Sequence, residues 1–530
     1  MSREPLGPRY LPVLLLLLAV SAGSGLLAVL RSDHPTGWDG YYYLVQVRTL
    51  LSEGEMHSPE YSPVYIPMIL FRLLTGSCLW AFRLTAVLAR VLFVLSVFVL
   101  SRTLVRSWGG GGDEPALTAL AAAAMAVMSP SLDFFSAQFP KNLLGFCLLL
   151  FFASSVIVLS GRWQRGAFRV NAPGLSVSLL LFAATFLTHR FSAVLAVAFM
   201  LLYLVPPVFR GSERRIPAVA TAAAALLLAV LTVLSGRIPL APSLRDLERV
   251  TGDLSASPSL VPLEFVRSFG SFRMSLPWLL ETGAASLAPV LSAVLLLIPA
   301  VRDRVRPGGG YASVLVLSMV GLFPFLEFSL TGLAYRLLFA TLLLFPLVCL
   351  PWLVGTVRFL RRRSGGRVLP AVGLTAVLAG MSFLTAPSYD PVLHDPPYDR
   401  YEEISDRVAE LLSGSDFELV VAHRSLAEVI TFRHGIDALP WAPEERFTRE
   451  RVWRVTAGVM RGEFAWYLGS GAMDSLYRRL PGDYALLRED AWESFLEGIA
   501  GDPALLEAVG TWRNPMDVRP GYLVGDSSRK

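Results

Sequence analysis

Apolar runs of about twenty residues dominate the chain, and they restrict its fold more than anything else in it. A helix rises ~1.5 Å per residue, so about 20 apolar residues cross the ~30 Å hydrocarbon core of a bilayer. Such runs lie from Leu11 to about Leu30 and near 81–104, 116–131, 142–160, 173–188 and 191–208. Others lie near 216–234, 282–301, 311–329, 335–356 and 368–386. Inside lipid every backbone polar group must be paired within the protein, and for runs of this length the helix achieves that. Hydrophobic residues make up 54% of the 530 residues and mean hydropathy is +0.53, which excludes a soluble multidomain chain. The expected fold is mainly α, a polytopic bundle of about eleven transmembrane helices.

Charge gives the bundle an orientation. The formal net charge is +5, and the only lysines are Lys141 and Lys530. Arg3 and Arg9 precede the first run, which reads as an uncleaved helix with its N-terminus in the cytoplasm. With alternating spans, Arg102 and Arg106, Arg162 to Arg169, Arg210 to Arg215, Arg302 to Arg306 and Arg358 to Arg363 all face the cytoplasm. Retention of basic loops on that side is the ordinary determinant of orientation. The expected location is the plasma membrane, multi-pass, with the C-terminus outside. Outside then lie loop 31–80, the turn Pro130–Asn142, loop 235–281 and everything after residue 386.

Two domains follow: 1–386 in the membrane, and 387–530 as an extracytoplasmic α/β domain. In the second, Glu402 to Leu412 and Leu426 to Phe432 read as helices and Phe417 to Ala422 as a strand. Tyr484 to Leu487 reads as a further strand and Trp492 to Ile499 as a helix. About 140 residues suffice for a separate core. Cys78, Cys147 and Cys349 lie in or beside apolar segments, so no disulfide framework is implied. The six histidines lack zinc-site spacing; metal and cofactor stay unassigned, and no nucleic-acid partner is expected. Gly109 to Gly112 lacks the Gly-Lys-Ser/Thr of a nucleotide loop and reads as a connector.

The candidate site begins at Trp38-Asp39-Gly40-Tyr41-Tyr42-Tyr43. Past Asp39, Tyr43, Val47, Leu50 and Leu51 share one helical face, the pattern of an interfacial helix with a carboxylate at its N-terminal end. Asp is also a favoured helix N-cap, and both readings stand. Tyr61 to Pro67 leads into an apolar piece ending near Gly76 that is too short to cross, and so interfacial or re-entrant. Ionisable groups beside spans are costly and mark function; at the outer ends these are Asp39, Arg48, Asp133, Lys141, His189, Arg190, Glu327 and Arg336. Such groups with apolar walls suit a substrate with a lipid tail and an anionic head. Each has a plainer alternative. Arg336 can snorkel to the interface, His189-Arg190 can be a turn, and Glu327 can pair with Arg336. Glu264, Arg267 and Arg273 can be solvated charge. Lys141 opens a span where the helix dipole disfavours a cation, which calls for an anion; Asp133 is one candidate.

Asp39 to Arg48 with Gly54 resembles the first-loop region of the oligosaccharyltransferase branch of the GT-C membrane glycosyltransferases. Tyr61 to Pro67, followed by Arg83 in a long span, is similar to the aminoarabinose and protein-mannosyl transferase branch. The turn Thr331-Gly332-Leu333-Ala334-Tyr335-Arg336 extends the likeness, which otherwise covers about residues 10–210. The resemblance implies transfer of a sugar from a polyprenyl-phosphate or polyprenyl-diphosphate donor on the outer face to a glycan, lipid or protein acceptor. It gives Asp39 the role of the essential first-loop acid, base or metal ligand. Arg336 and Lys141 become donor-phosphate ligands, with Arg48, Tyr42, Tyr61, Asp133, His189 and Arg190 as contributors. The sequence departs from the oligosaccharyltransferase pattern: Asp133 stands alone before Phe134-Phe135, and no Trp-Trp-Asp motif occurs, so asparagine-linked transfer is not expected. Two other functions fit a polytopic chain: a transporter or flippase for a lipid-linked glycan, or a non-catalytic assembly subunit. The absence of an internal repeat argues against the transporter.

Overall fold

The computed structural model describes residues 8–163 except 59 and 61, 172–209, 276–305, 309–319, 331–364, 389–396, 398–412, 419–421, 424–436, 438–439 and 452–454. The first helices are α1 (Leu11–Val29), α2 (Gly40–Glu53), α3 (Tyr65–Thr75), α4 (Cys78–Ser107) and α5 (Glu114–Val127). Then come α6 (Pro130–Gln138), α7 (Pro140–Trp163), α8 (Ala172–Thr188) and α9 (Arg190–Phe209). Further on lie α10 (Leu276–Leu295), α11 (Pro299–Val305), α12 (Gly309–Ser318), α13 (Thr331–Val348) and α14 (Leu350–Ser364). The last are α15 (Pro391–His394), α16 (Tyr398–Leu412) and α17 (Arg424–His434), with strands β1 (Leu419–Val421), β2 (Ala438–Leu439) and β3 (Val452–Arg454). The chain divides into two compact units: Met1–Asp33, Ser58–Ser329 and Leu333–Pro391; and His34–His57, Leu330–Gly332 and Val392–Lys530.

The first unit is built around α4, thirty residues long, which packs against α1, α3, α5 and α7. Its start is set by Ser77, whose hydroxyl accepts the Trp80 N–H at 3.3 Å, satisfying one of the donors a helix N-terminus leaves open. Among the described residues, five helices are long and apolar enough to cross a membrane, and the bent pair α5–α6 makes a sixth. The chain is a multi-pass membrane protein. The runs expected at 216–234 and 368–386 lie outside the described residues, as does the end of 311–329.

Two elements differ from a simple reading of hydropathy. The run at 116–131 is not one straight span, because α5 and α6 meet at 63°. And 130–138 is a helix, not a turn. Ser129 accepts the Leu132 N–H at 3.1 Å and Pro130 occupies the first helical turn, a position where its missing N–H costs nothing. Such a cap starts a new helix in a new direction. α6 is buried from Ser131 through Gln138. Its Phe134 stacks on Phe339 of α13 with centroids 5.7 Å apart and tilts on Trp278 of α10 at 4.6 Å; such pairs are worth about 0.5–1.5 kcal/mol each beyond area burial. By contrast α3 buries Tyr65 and Met68 and exposes Ile66, Leu70, Leu73 and Leu74, spacings that fall on one face. At eleven residues it is too short to span.

In the second unit, α2 packs against α17 and α17 against α16. The strands form a parallel sheet in the order β2-β1-β3. α17 is buried along its whole first part, from Ser425 through Thr431, with Leu426, Ala427, Val429 and Ile430 supplying the apolar contacts. Tyr41 of α2 meets Tyr398 at 4.9 Å and Phe432 at 5.6 Å, both edge-on. The strand and helix expected at 484–487 and 492–499 lie outside the described residues.

Candidate functional site

In the first unit, α6 is held by charged side chains from two other helices. Arg90, in the middle of α4, is fully buried, and its Nη1 donates to Asp133 Oδ1 at 2.9 Å, with side-chain exposures of 0% and 4%. The same nitrogen reaches Ser136 Oγ at 3.4 Å. Gly25 of α1 leaves the room this needs: a Cβ there would lie 2.8 Å from Arg90 Cδ. At the start of α6, Glu281 of α10 accepts the Ser131 N–H at 2.9 Å and the Ser131 hydroxyl at 2.6 Å. A carboxylate is well placed at a helix N-terminus, where the dipole is positive. Asp133 is thus the partner of Arg90.

Lys141, in the first turn of α7, pairs instead with Glu60, and the other Glu60 oxygen accepts the Tyr65 hydroxyl at 2.7 Å. Two residues on, Ser62 Oγ donates to the Thr188 carbonyl at 3.4 Å. Next to Thr188, His189 Nδ1 lies 3.1 Å from Ser192 Oγ, at the junction of α8 and α9. Gly145 lies one helical turn after Lys141, and a Cβ on it would lie 2.7 Å from His189 Cβ. The structure therefore brings Lys141 and His189 to one face of α7, about one 5.4 Å turn apart, with Glu60 on Lys141 and Ser62 on the residue before His189. Arg190 is the first residue of α9, and Arg336 lies in α13, five residues after its start at Thr331.

In the second unit, Asp39 is the residue before α2, half-buried, and its side chain makes no capping hydrogen bond. Its carbonyl accepts the Tyr43 N–H at 3.2 Å. Tyr42 lies edge-on to Tyr43 at 5.6 Å. Arg48 donates to the Phe432 carbonyl and its guanidinium stands 5.9 Å from the Phe432 ring, so it joins α2 to α17. The Tyr41 hydroxyl donates to Glu402 at 2.7 Å; His34 Nε2 lies 2.8 Å from Asp399 Oδ1; Arg433 holds Glu402 and Asp406. Burial, then the Glu402 hydrogen bond, pushes the Tyr41 hydroxyl well above its ordinary value. Burial, with Asp395, Glu428 and Asp39 adding in that order, does the same for Tyr398.

Tyr61, Glu264, Arg267, Arg273 and Glu327 lie outside the described residues. Among the described residues, no three His, Cys, Asp or Glu side chains are grouped to hold a metal ion. Sequence reasoning missed Arg90, Glu60 and Glu281. For Arg90 the signal was present, an arginine seven residues after Arg83 in a long apolar run, which demands a buried partner. For Glu60 and Glu281 no local signal marks the partner.

No protein-family model matches the sequence, and no curated protein matches it. Solved structures do. ArnT from Cupriavidus metallidurans bound to undecaprenyl phosphate is 13% identical and superposes at a TM-score of 0.51, covering 91% of this chain and 90% of that one. The chain shares the fold of that structure. The Archaeoglobus fulgidus oligosaccharyltransferase in its apo form is 12% identical at a TM-score of 0.48, over 81% of this chain. The present chain spans only 64% of that oligosaccharyltransferase's length. At these identities the likeness is one of fold, and function has to be argued from the site.

Proposed function

We propose that the chain is a membrane glycosyltransferase that moves a sugar from a polyprenyl-phosphate-linked donor to an acceptor on the extracytoplasmic face. One observation above all supports the reading: the GT-C likeness extends over nearly the full length of both this chain and ArnT, a protein whose structure holds undecaprenyl phosphate. The proposal includes about eleven spans, a cytoplasmic N-terminus and an extracytoplasmic α/β domain over 387–530.

Asp39 acts as general base. Its carboxylate takes the proton of the acceptor hydroxyl as that oxygen forms a bond to the anomeric carbon. The bond from the anomeric carbon to the phosphate oxygen breaks and its electron pair stays on the phosphate. One displacement inverts the anomeric centre, through an oxocarbenium-like state. Proton transfer of this kind is worth ~10²–10⁴ in rate. Lys141 and Arg336 stabilise the charge that gathers on the leaving phosphate. Tyr42, Tyr61, His189 and Arg190 shape the surroundings, while Arg48 and Asp133 contribute through the elements they tie down. No metal is assigned.

Purified full-length protein in nanodiscs, given undecaprenyl phosphate carrying a labelled sugar, tests the reading. Sugar transfer to an acceptor glycan, lipid or peptide is the expected result. In liposomes, translocation of the lipid without transfer would make the chain a flippase, and neither activity would leave an assembly subunit. Cysteines placed in 358–367 are expected to react only from the cytoplasm, and one near Asp490 only from outside.

A further inference from the structure

Lys141 sits where an anion belongs and already holds one. An ammonium in the first turn of a 24-residue helix opposes the positive end of the dipole, so a free cation there is unfavourable. The Glu60 carboxylate neutralises it, and the Tyr65 hydroxyl occupies the second carboxylate oxygen. Neither partner is sealed in: the side chains are 24% and 12% exposed. Glu60 lies outside any helix or strand, in the link between α2 and α3, so its side chain can turn away without unwinding an element.

We propose that Glu60 is an exchangeable counter-ion: its carboxylate holds Lys141 until the phosphate of a polyprenyl-phosphate lipid displaces it, and returns when that lipid leaves. The inference rests on the reading of Lys141 as a phosphate ligand. Undecaprenyl phosphate, the monoester left once the sugar has gone, carries close to two negative charges at neutral pH and three acceptor oxygens, against one charge on a carboxylate. It therefore competes well for the ammonium and for the Tyr65 hydroxyl that Glu60 gives up. Without Glu60, a bare cation at a helix N-terminus would keep the product phosphate. With it, the empty site is neutral, and the displaced carboxylate stays at hand to reclaim Lys141 as the phosphate leaves. The lipid form is favoured over free phosphate because Tyr65 also opens α3, whose exposed Ile66, Leu70, Leu73 and Leu74 lead away from the site as an apolar stripe.

The test is binding of undecaprenyl phosphate, undecaprenol and inorganic phosphate to the full-length protein in nanodiscs. The wild type is compared with Glu60→Gln, Lys141→Gln and the double variant. Glu60→Gln keeps an acceptor for Tyr65 but removes the competing charge, so undecaprenyl phosphate should bind about tenfold more tightly (~1.4 kcal/mol) and undecaprenol no differently. Lys141→Gln should weaken undecaprenyl phosphate, and in the double variant the gain should vanish, since there is no ammonium left to release. If Lys141→Gln leaves binding unchanged, the phosphate reading of Lys141 fails and the exchange fails with it. If Lys141→Gln weakens binding but Glu60→Gln does not tighten it, the phosphate reading stands and the exchange alone is overturned. An equal gain for inorganic phosphate overturns the lipid form. Should Glu60→Gln fail to elute as a monodisperse species, Glu60→Asp, which keeps the charge on a shorter reach, is expected to give a smaller tightening; unchanged or weaker binding there counts against the exchange.

Discussion

Breaking the Arg90–Asp133 pair is predicted to be far more damaging than replacing it. Both side chains are essentially without solvent, so neither charge recovers hydration when its partner is removed. Removing one member of such a pair costs about 3–5 kcal/mol, whereas exchanging both for apolar residues of similar volume is often neutral or better. At ~1.4 kcal/mol per tenfold, Asp133→Leu or Arg90→Met alone should shift the folding equilibrium by two to nearly four powers of ten. The double variant Arg90→Met with Asp133→Leu should lie within ~1 kcal/mol of wild type, or above it. The protein carries its own reporter. Cys147 of α7 is buried, and its thiol donates to the carbonyl of Ala89 at 3.3 Å, the residue before Arg90. With Cys78 and Cys349 replaced by alanine, alkylation of Cys147 against temperature in nanodiscs reads the opening of the α4–α7 contact. A double variant as labile as either single one would refute the reasoning, and so would a single variant within ~1 kcal/mol of wild type.

The other predictions are narrower. Asp39→Asn keeps a good N-cap residue and loses only the carboxylate, so transfer should fall ~10²–10⁴-fold with little change in melting temperature; near-normal turnover removes Asp39 from catalysis. For Arg336, a phosphate contact made mainly in the transition state predicts a fall in kcat from Arg to Lys to Ala, while unchanged kinetics in both variants leaves an interfacial anchor. Gly145→Ala puts a methyl group 2.7 Å from His189 Cβ, an overpacking expected to cost about 1–3 kcal/mol in a thermal-shift measurement. Tyr41 titrates above its ordinary 10.0 in the folded state, so its contribution is complete below that pH and is lost as pH rises through the folded value. Tail proteolysis should therefore quicken above about pH 10, and Tyr41→Phe should flatten that limb.

The apolar runs determined by themselves that this chain is a helical membrane protein, because hydrocarbon admits almost nothing else for twenty consecutive apolar residues. Asp39 at the start of a Tyr-rich helix was legible for the same kind of reason, since capping and 3.6-residue periodicity are local. Which charge meets which was not. Lys141 called for an anion, and Asp133 stood closest in sequence, yet the structure gives Asp133 to Arg90 and Lys141 to Glu60. Hydropathy read 116–131 as one span, and the Ser129-Pro130 start of α6 turned it through 63°. Likewise the first-loop helix α2 joins the unit that contains the tail helices α16 and α17, through Tyr41, Arg48 and their partners more than 350 residues away. Helix formation is decided within a few turns by short-range interactions. The pairing of buried charges is decided by which helices pack side by side, and that information is carried by the whole chain.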